Sequence, residues 1–503
     1  MKKIKKNLIV SVLYQFVAII YGFVSPRLIL AHFGSEVNGL IQSITQFLGF
    51  VGFLDMGVSQ VVRSALYRPL EEQDDDQISR IMVSGRRFYR RIAYMLLGYV
   101  AILLFVYPCF IDQSFDWLFS GCMIVVIAIN SFSQYYFGII NEQLIHASQN
   151  SYLTYIIQGL CYVVNLIVCI GMVYMNCSIH AIKFATVLVF LIKPTFYAWY
   201  IRRKHRINWS INYNEEPISQ KWFGVAQHIS AVVLEGTDSA VLTLFTSLSH
   251  VSVYSVYYMV ITHLHGFYQA AVAGIQSAAG AVWAKQNQQE IKQLFISVEM
   301  GLHTATVFLF TCTGILLVPF VQVYTDGLMD ANYIQPVFAA ILVFAYGIRC
   351  LRTPYNIWIM AAGHFKQTQK CHIIAAVLNL AVSIFAVSIW GLVGVAVGTL
   401  IAMCYQTLWL MLYTKKNLVM CTIGHVLKRL CVDIVAAALV CASTSRITLK
   451  EVSYLAWIIM AVKVALIAIM CIVVVTYIFY PGQTRLFVRR LLVAKGKSES
   501  NYE

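Results

Sequence analysis

The feature that most constrains this chain is a series of long apolar runs separated by short polar stretches. A membrane-spanning helix needs about 20 predominantly apolar residues, because the hydrocarbon core of a bilayer is about 30 Å thick. On that basis the 503-residue sequence holds fourteen such runs. They cover residues 8–31, 38–60, 92–111, 117–140, 152–175, 180–201, 222–246, 251–280, 294–320, 334–361, 371–389, 392–413, 430–444 and 453–480. The composition agrees, since only 12% of the residues are charged, against about 25% in soluble domains. The sequence therefore predicts an all-α polytopic membrane protein with about 14 transmembrane helices.

The basic residues predict the orientation of these helices. If the amino terminus lies inside, the inner stretches hold 29 of the 37 Lys and Arg residues, whereas the outer loops hold only Arg446 and Lys450. Cytoplasmic loops of membrane proteins carry an excess of Lys and Arg, so we expect both termini in the cytoplasm. The net charge of +15 thus reflects membrane orientation, and we expect no nucleic acid partner.

Two further features of the sequence concern its start and its cysteines. The segment MKKIKKNLIV has the basic flank of a signal peptide, but the apolar run continues without a small-residue cleavage site, which predicts an uncleaved first span. The 13 cysteines form no CxxC pair and lie mostly in apolar runs, which predicts buried small side chains and no metal site.

An internal repeat with an offset of 214 residues divides the chain. Asn165 in LCYVVNLIVCI corresponds to Asn379 in AAVLNLAVSI, and VNGL at 37–40 falls on VSVY at 251–254. Six spans per half imply parallel repeats with a substrate site between them near the midplane. We expect an N-lobe at 1–201, a cytoplasmic basic linker at 202–221 and a C-lobe at 222–413. An appendage of two helices at 430–480 and a cytoplasmic tail at 481–503 would follow.

A polar stripe at helical spacing marks the second predicted span. About one face of the predicted helix carries Asn38, Gln42, Thr45, Asp55 and Arg63. Charged side chains facing lipid are costly, so we expect Asp55 and Arg63 to line an aqueous cavity and bind substrate. The glycines of the stripe are expected to serve helix packing.

Acidic residues and histidines in the seventh and eighth spans are candidates for ion coupling. Glu235 and Asp238 lie three residues apart, and two such carboxylates can take up a proton or bind Na⁺. His265 lies on a polar face of the eighth span and is a third candidate. The alternative is an internal ion pair between these acids and a cation on another span.

Basic residues beside helix breaks form the predicted substrate site. Arg349 and Arg352 precede Pro354, and the same pattern recurs at Arg27 after Pro26 and at Lys193 before Pro194. Proline interrupts helical hydrogen bonding, and Arg forks match phosphate oxygens. The alternative is that these long side chains reach out to lipid headgroups.

Several classes of function are excluded by absent features. The predicted outer loops are too short for the catalytic loop of a membrane glycosyltransferase or polysaccharide polymerase, and no GxxxxGK[ST] signature for ATP occurs. We therefore expect a protein that is not an enzyme and has no cofactor, with Na⁺ or H⁺ as a possible coupling ion.

The stretch PRLILAHFGSEVNGLIQSITQFLGFVGFLDMGVSQVV and the repeat segment IMAAGHFKQTQKCHIIAAVLNLAVSI resemble the multidrug/oligosaccharidyl-lipid/polysaccharide (MOP) exporter superfamily. Within it, residues 1–413 are most similar to Wzx-type polysaccharide and O-antigen flippases. The resemblance implies a V-shaped bundle in the bacterial cytoplasmic (inner) membrane that works by alternating access.

The same resemblance implies a substrate and partners. The substrate would be an undecaprenyl-pyrophosphate-linked oligosaccharide for capsule or O-antigen of lipopolysaccharide, held by cavity cations. A polysaccharide polymerase and a chain-length regulator are expected neighbours in the membrane lipid. Two alternatives stay open at this point, a MATE-like drug/cation antiporter and a lipid II flippase.

Overall fold

The structure, a computed structural model, describes residues 2–55, 58–111, 114–211, 233–234, 236–419 and 423–481. In this part of the chain every regular element is helical. The helices are α1 Lys2–Gly49, α2 Val58–Glu72, α3 Asp75–Val106, α4 Trp117–Ser133, α5 Ile139–Ala147, α6 Ser151–Tyr174, α7 Ile179–Phe190, α8 Ile192–Lys204, α9 Asp238–Phe245, α10 Leu248–Ala284, α11 Gln288–Tyr324, α12 Pro336–Leu351, α13 Thr353–Ala361, α14 Phe365–Trp390, α15 Leu392–Thr414, α16 Ile423–Thr444 and α17 Tyr454–Phe479. The predicted all-α class is confirmed.

The predicted spans fall on these helices. Among the described residues, ten helical stretches are long and apolar enough to cross a membrane. One of them, Ile9–Asp55, carries both the first predicted span and most of the second. Helices α10 and α16 cover the eighth and thirteenth predicted spans, whereas about half of the seventh lies outside the described residues. The count of fourteen stays a prediction.

Two compact units make up the chain. Unit 1 comprises Met1–Met259 and the short segment Gly327–Ala331, and unit 2 comprises Val260–Asp326 and Asn332–Glu503. The predicted linker at 202–221 is described only as far as residue 211, and Arg202, Arg203 and Lys204 form the last turn of α8. Basic side chains there complement the negative end of the helix dipole. The predicted lobe boundaries are not tested by this division.

In unit 1 a sharp bend separates the first two predicted spans. Gly34 has φ 83° and ψ 176° within α1, a conformation that costs glycine little because it has no Cβ. The Asp330 carboxylate accepts hydrogen bonds from the Ser35 amide at 2.5 Å and from the Ser35 hydroxyl at 2.8 Å. It therefore caps the first turn after the bend, where a helix favours negative charge.

One contact of unit 1 joins two residues that lie 214 positions apart, which is the offset of the predicted repeat. Asn38 Nδ2 donates to Ser252 Oγ at 2.8 Å, and both side chains are buried. These two residues are equivalent in the repeat, so α1 and α10 touch at matching positions. The two helices approach each other so closely there that a Cβ on Gly39 would lie 1.9 Å from the Leu248 carbonyl oxygen.

The matching asparagines Asn165 and Asn379 are also buried. Asn165 on α6 donates to the Tyr21 hydroxyl at 2.8 Å, and Asn379 on α14 donates to Thr399 Oγ1 at 3.0 Å. Asn165 is 1% exposed and Asn379 is fully buried. A buried amide must be hydrogen-bonded to be tolerated, so each asparagine fixes its helix against a neighbour in its own unit.

Unit 2 is built around tightly packed helix pairs, of which α14 and α15 are the closest. A Cβ on Gly398 would lie 2.2 Å from Ser383 Oγ and 2.7 Å from the Ser383 amide nitrogen. The turn between the two helices is made by Gly391, which has φ 53°. Small residues let membrane helices pack this closely.

The predicted helix breaks beside proline occur at two of the three positions. Helix α12 ends at Leu351 and α13 begins at Thr353, directly before Pro354, and α7 ends at Phe190 shortly before Pro194. Helix α1 continues through Pro26, so the prediction of a break there is wrong. A proline in a membrane helix can be accommodated by local adjustment.

We expect Gly398→Ala to destabilise unit 2, because the added methyl overlaps the backbone of α14. Overpacking of this kind costs about 1 to 3 kcal/mol in the free energy of unfolding. The matched control is Gly171→Ala on α6, where no atom lies within 4 Å of the added Cβ. Thermal unfolding of the purified protein in detergent should show a lower Tm for Gly398→Ala only. Equal Tm values for the two variants would contradict the close contact.

Candidate functional site

Asp55 belongs to a small hydrogen-bonded group in unit 1. It ends the tight helical turn Phe50–Asp55 that follows α1. Its Oδ1 accepts from the Tyr89 hydroxyl at 2.9 Å, and its Oδ2 accepts from Ser59 Oγ at 3.2 Å. The hydroxyls of Ser59 and Tyr89 are themselves 2.8 Å apart. The Asp55 carboxylate is half-buried and joins the turn to α2 and α3.

Arg63 contacts an amide on a neighbouring helix of the same unit. Its Nε and Nη2 both donate to Gln143 Oε1 on α5, at 3.0 and 2.8 Å. This contact uses one edge of the guanidinium group, and Gln143 is 6% exposed. Sequence reasoning did not single out Gln143, because an amide at the end of a span carries no pattern of its own.

Lys193 lies in a charged cluster that the sequence did not predict. Its Nζ is 3.7 Å from Glu142 Oε2, and His146 Nε2 is 3.7 Å from the other oxygen of Glu142. The side chains of Lys193 and Glu142 are 17% and 24% exposed. Lys193 thus pairs with Glu142, and the ion pair that sequence analysis left open for Glu235 and Asp238 stays a prediction.

The remaining candidates of unit 1 lie at separate positions. Arg27 is half-buried on α1. Asp238 begins α9 and is 3% exposed, and its Oδ2 accepts from the Tyr254 hydroxyl at 3.0 Å. Glu235 lies outside the described residues, so the predicted pairing of Glu235 with Asp238 stays a prediction.

Three of the predicted residues come together in unit 2. Arg349 and Arg352 are half-buried at the end of α12, and the positive charges of both act on the imidazole of His265 on α10. Arg349 also lies 5.7 Å from the centre of the Tyr346 ring. His265 Nε2 is 3.1 Å from Gln269 Nε2. Helix α12 ends at Leu351 and α13 begins at Thr353, so Arg352 lies in the break between the two helices.

His372 extends this cluster, and sequence reasoning missed it. Its imidazole on α14 is within reach of the Arg352 charge. His372 Nδ1 is 2.8 Å from Gln406 Nε2 on α15. We call Arg349, Arg352, His265 and His372 the basic cluster of unit 2. Two guanidinium groups and two imidazoles on three helices make a site suited to an anion.

Unit 2 contains a second group of charged residues that the sequence analysis did not predict. Glu299 and His303 on α11 contact His425 and Asp433 on α16, which carries Arg429 between them. Sequence analysis placed α16 in an appendage and did not connect the two helices. The signal that could have found the group is the spacing of four residues on each helix, which places the side chains on one face.

The comparisons with known proteins identify the fold. No family model and no curated protein matches the sequence. Among solved structures, the chain is similar to the lipid II flippase MurJ in its inward closed conformation, with a TM-score of 0.73 and 13% identity over 94% of this chain and 98% of that chain. It is also similar to an inward-facing multidrug resistance MATE transporter of the MOP superfamily, with a TM-score of 0.57 and 13% identity over 80% and 96% of the two chains.

A third solved structure agrees with these two. A mutant of the Vibrio cholerae MATE transporter VcmN matches with a TM-score of 0.57 and 13% identity over 83% of this chain and 97% of that chain. The chain therefore has the helical fold shared by MurJ and the MATE transporters. This confirms the predicted fold, whereas the narrower resemblance to Wzx-type flippases stays a prediction.

Substitutions can test whether the ion pair between Lys193 and Glu142 stabilises unit 1. We expect Lys193→Met to lower the Tm, because Glu142 then loses the cation beside it, and Glu142→Gln to lower it for the converse reason. Breaking a buried pair costs about 3 to 5 kcal/mol, and partial exposure here reduces that value. The double variant should recover most of the loss. Additive losses in a thermal unfolding cycle would contradict the pairing.

Proposed function

We propose that this chain is a flippase that moves an undecaprenyl-pyrophosphate-linked oligosaccharide across the bacterial cytoplasmic membrane by alternating access. The observation that carries the proposal is the basic cluster of unit 2, which lies on α10, α12 and α14 of a fold shared with a lipid II flippase. Cations inside a membrane protein are costly and are retained where they meet a substrate or a partner charge.

The chemistry of the basic cluster fits the charged part of such a substrate. A pyrophosphate cannot cross hydrocarbon without compensation for its charge. Arg349 and Arg352 offer planar forks that match phosphate oxygens, and the imidazoles of His265 and His372 add further donors. The side-chain amide of Gln269 is exposed next to the His265 imidazole and can supply groups for sugar hydroxyls, whereas the buried amide of Gln406 positions His372.

The other predicted residues have subordinate parts in this proposal. Arg27 and Arg63 on unit 1 would add positive charge along the route of the substrate, and Asp55 would hold the turn before α2. Both termini would lie in the cytoplasm, where basic stretches favour retention. A polysaccharide polymerase and a chain-length regulator would receive the flipped glycan.

Lipid II is the second candidate substrate, and the similarity to MurJ over 94% of this chain favours it. Both substrates join a polyprenyl tail through pyrophosphate to sugars, so the basic cluster suits either. Expression in a bacterium depleted of its own lipid II flippase distinguishes them. Rescue of growth would assign lipid II, whereas restored surface polysaccharide in a flippase-deficient glycan mutant would assign the oligosaccharide.

The similarity to MATE transporters keeps a drug or cation antiporter as a third candidate. Such a protein would carry a cationic substrate, which the basic cluster would repel. Expression in a strain that lacks its drug exporters is therefore expected to leave drug resistance unchanged. A clear rise in resistance would favour the antiporter.

We expect Arg349→Ala and Arg352→Ala to reduce glycan export about tenfold or more, since a hydrogen bond to a charged group contributes about 1.5 to 3 kcal/mol. Surface glycan is measured in a flippase-deficient strain, with the amount of protein in the membrane measured in parallel. The matched control is Arg446→Ala, which removes an exposed arginine outside the helices.

The conservative change Arg349→Lys sharpens this test. Lysine keeps the positive charge but cannot form the forked contact, so it should retain only part of the export. Normal export by both alanine variants, with normal amounts of inserted protein, would contradict a role of the basic cluster in binding pyrophosphate.

A further inference from the structure

A group of five charged or titratable side chains joins α11 to α16 in unit 2. We call it the α11–α16 charge network, and it consists of Glu299, His303, His425, Arg429 and Asp433. His425 Nε2 is 2.7 Å from Glu299 Oε2, and His303 Nδ1 is 2.6 Å from Asp433 Oδ2. Arg429 Nη2 is 3.2 Å from Asp433 Oδ1. The two helices are thus held together by two carboxylate–imidazole contacts.

The network is enclosed by protein. Glu299, Arg429 and Asp433 are 1%, 3% and 6% exposed, and His303 is fully buried. His425 is the member nearest to solvent, with 24% of its side chain exposed. Charges at such depth need compensation from one another, because water does not stabilise them.

Counting charges shows that the network is one proton short of neutrality when both imidazoles are neutral. Glu299 and Asp433 contribute two negative charges, and Arg429 contributes one positive charge. Glu299 is held as a carboxylate, since its Oε1 accepts from the Tyr355 hydroxyl at 2.6 Å while Oε2 faces His425. A proton on one imidazole would bring the buried charge to zero.

His303 is the imidazole best placed to hold that proton. The Asp433 carboxylate lies beside the Arg429 guanidinium, so its other oxygen accepts and His303 Nδ1 donates. The other ring nitrogen, Nε2, is buried and has no hydrogen-bond partner among the described residues. In the neutral ring this nitrogen carries a free lone pair, which is the group that binds a proton.

The surroundings of Asp433 strengthen the need for a cation there. Asp433 borders a cavity of about 550 Å³ whose lining is mostly aliphatic and aromatic. Such a cavity offers few partners to a carboxylate. The charged and titratable groups that face the network from the packed elements are Tyr355 of α13, Lys428 of α16 and Tyr480 after α17.

We propose that His303 is a proton-binding site and that its proton controls how firmly α16 is held against α11. With the proton bound, an imidazolium faces the Asp433 carboxylate, and the network is neutral. Without it, a neutral donor faces the same carboxylate, and one negative charge stays buried. Charge-assisted hydrogen bonds are roughly twice as strong as neutral ones, so the protonated state is the tightly packed one.

Burial of His303 connects the proton to movement of the helices. A proton can reach Nε2 only when α11 and α16 loosen, because the ring has no exposed surface in the packed state. Uptake and release of the proton would then alternate with opening and closing of this contact. A helix held in this way by protonation is a two-state element that a proton gradient can drive.

The inference deepens the proposed function, and in that respect rests on it, because it makes H⁺ the coupling ion of the flippase. It places the proton on His303 of α11, whereas sequence analysis proposed Glu235, Asp238 and His265 for ion coupling. Asp238 and His265 lie on helices other than α11, so they can be tested separately from His303.

Hydrogen–deuterium exchange of α16 in the full-length protein tests the proton site without any transport assay. After correction for intrinsic exchange rates, we expect residues 423–444 of the wild type to exchange about fivefold faster at pH 8.5 than at pH 5.5. This factor follows from the difference between a charged and a neutral hydrogen bond. In His303→Gln, which keeps a donor but cannot titrate, the exchange should not depend on pH.

Three further variants complete the exchange experiment. Asp433→Asn should also remove the pH dependence, and it serves if His303→Gln does not fold. His364→Gln is the matched control, since His364 contacts a hydroxyl, that of Tyr413, at 2.8 Å outside the network. It should keep the wild-type behaviour. A pH dependence that survives in His303→Gln and disappears in His425→Gln would overturn the assignment to His303.

Glycan export separates this inference from the proposed function. If the wild type exports glycan, His303→Gln should abolish the dependence of export on the proton gradient at unchanged amounts of inserted protein. If the wild type exports no glycan but the exchange of α16 depends on pH through His303, the proposed function fails and the proton site stands. Export with undiminished dependence on the gradient in His303→Gln would overturn coupling through this site.

Discussion

The structure depends on the cost of placing charge inside a membrane. Most of the charged side chains discussed above meet another polar group in the part of the chain that the structure describes. Asp55 meets two hydroxyls, Lys193 meets Glu142, and Glu299 meets Tyr355 and His425. Each contact joins two or more helices. The same partners that make a charge tolerable therefore also determine which helices pack together.

This constraint explains which parts of the fold could be predicted from the sequence. The length of an apolar run depends on a single segment, and the helices follow the predicted runs closely. The bend at Gly34 could not be predicted from the local sequence, because the Asp330 carboxylate that caps Ser35 lies 295 residues further along the chain. Helix α1 continues through Pro26, because the effect of a proline depends on the neighbours that satisfy the backbone.

The candidate sites were harder to predict for the same reason. Arg349 and Arg352 could be singled out because a cation in an apolar run is conspicuous, and His265 could be singled out by its polar face. Their neighbour His372 could not, since nothing in the sequence brings α14 to α12. Glu299 and His303 could not be connected with α16 from the sequence, because their partners Asp433 and His425 lie about 130 residues further along the chain.

The hydrogen bond between Asn38 and Ser252 has a consequence for the origin of the repeat. In a symmetric dimer, a residue near the two-fold axis touches its own copy in the other subunit. If the repeat arose by fusion of two identical halves, the ancestral position faced itself, and a single residue type had to serve both sides. Joining the halves in one chain released that restriction. The present pair, an amide donor opposite a hydroxyl acceptor, is a combination that a homodimer could not have encoded.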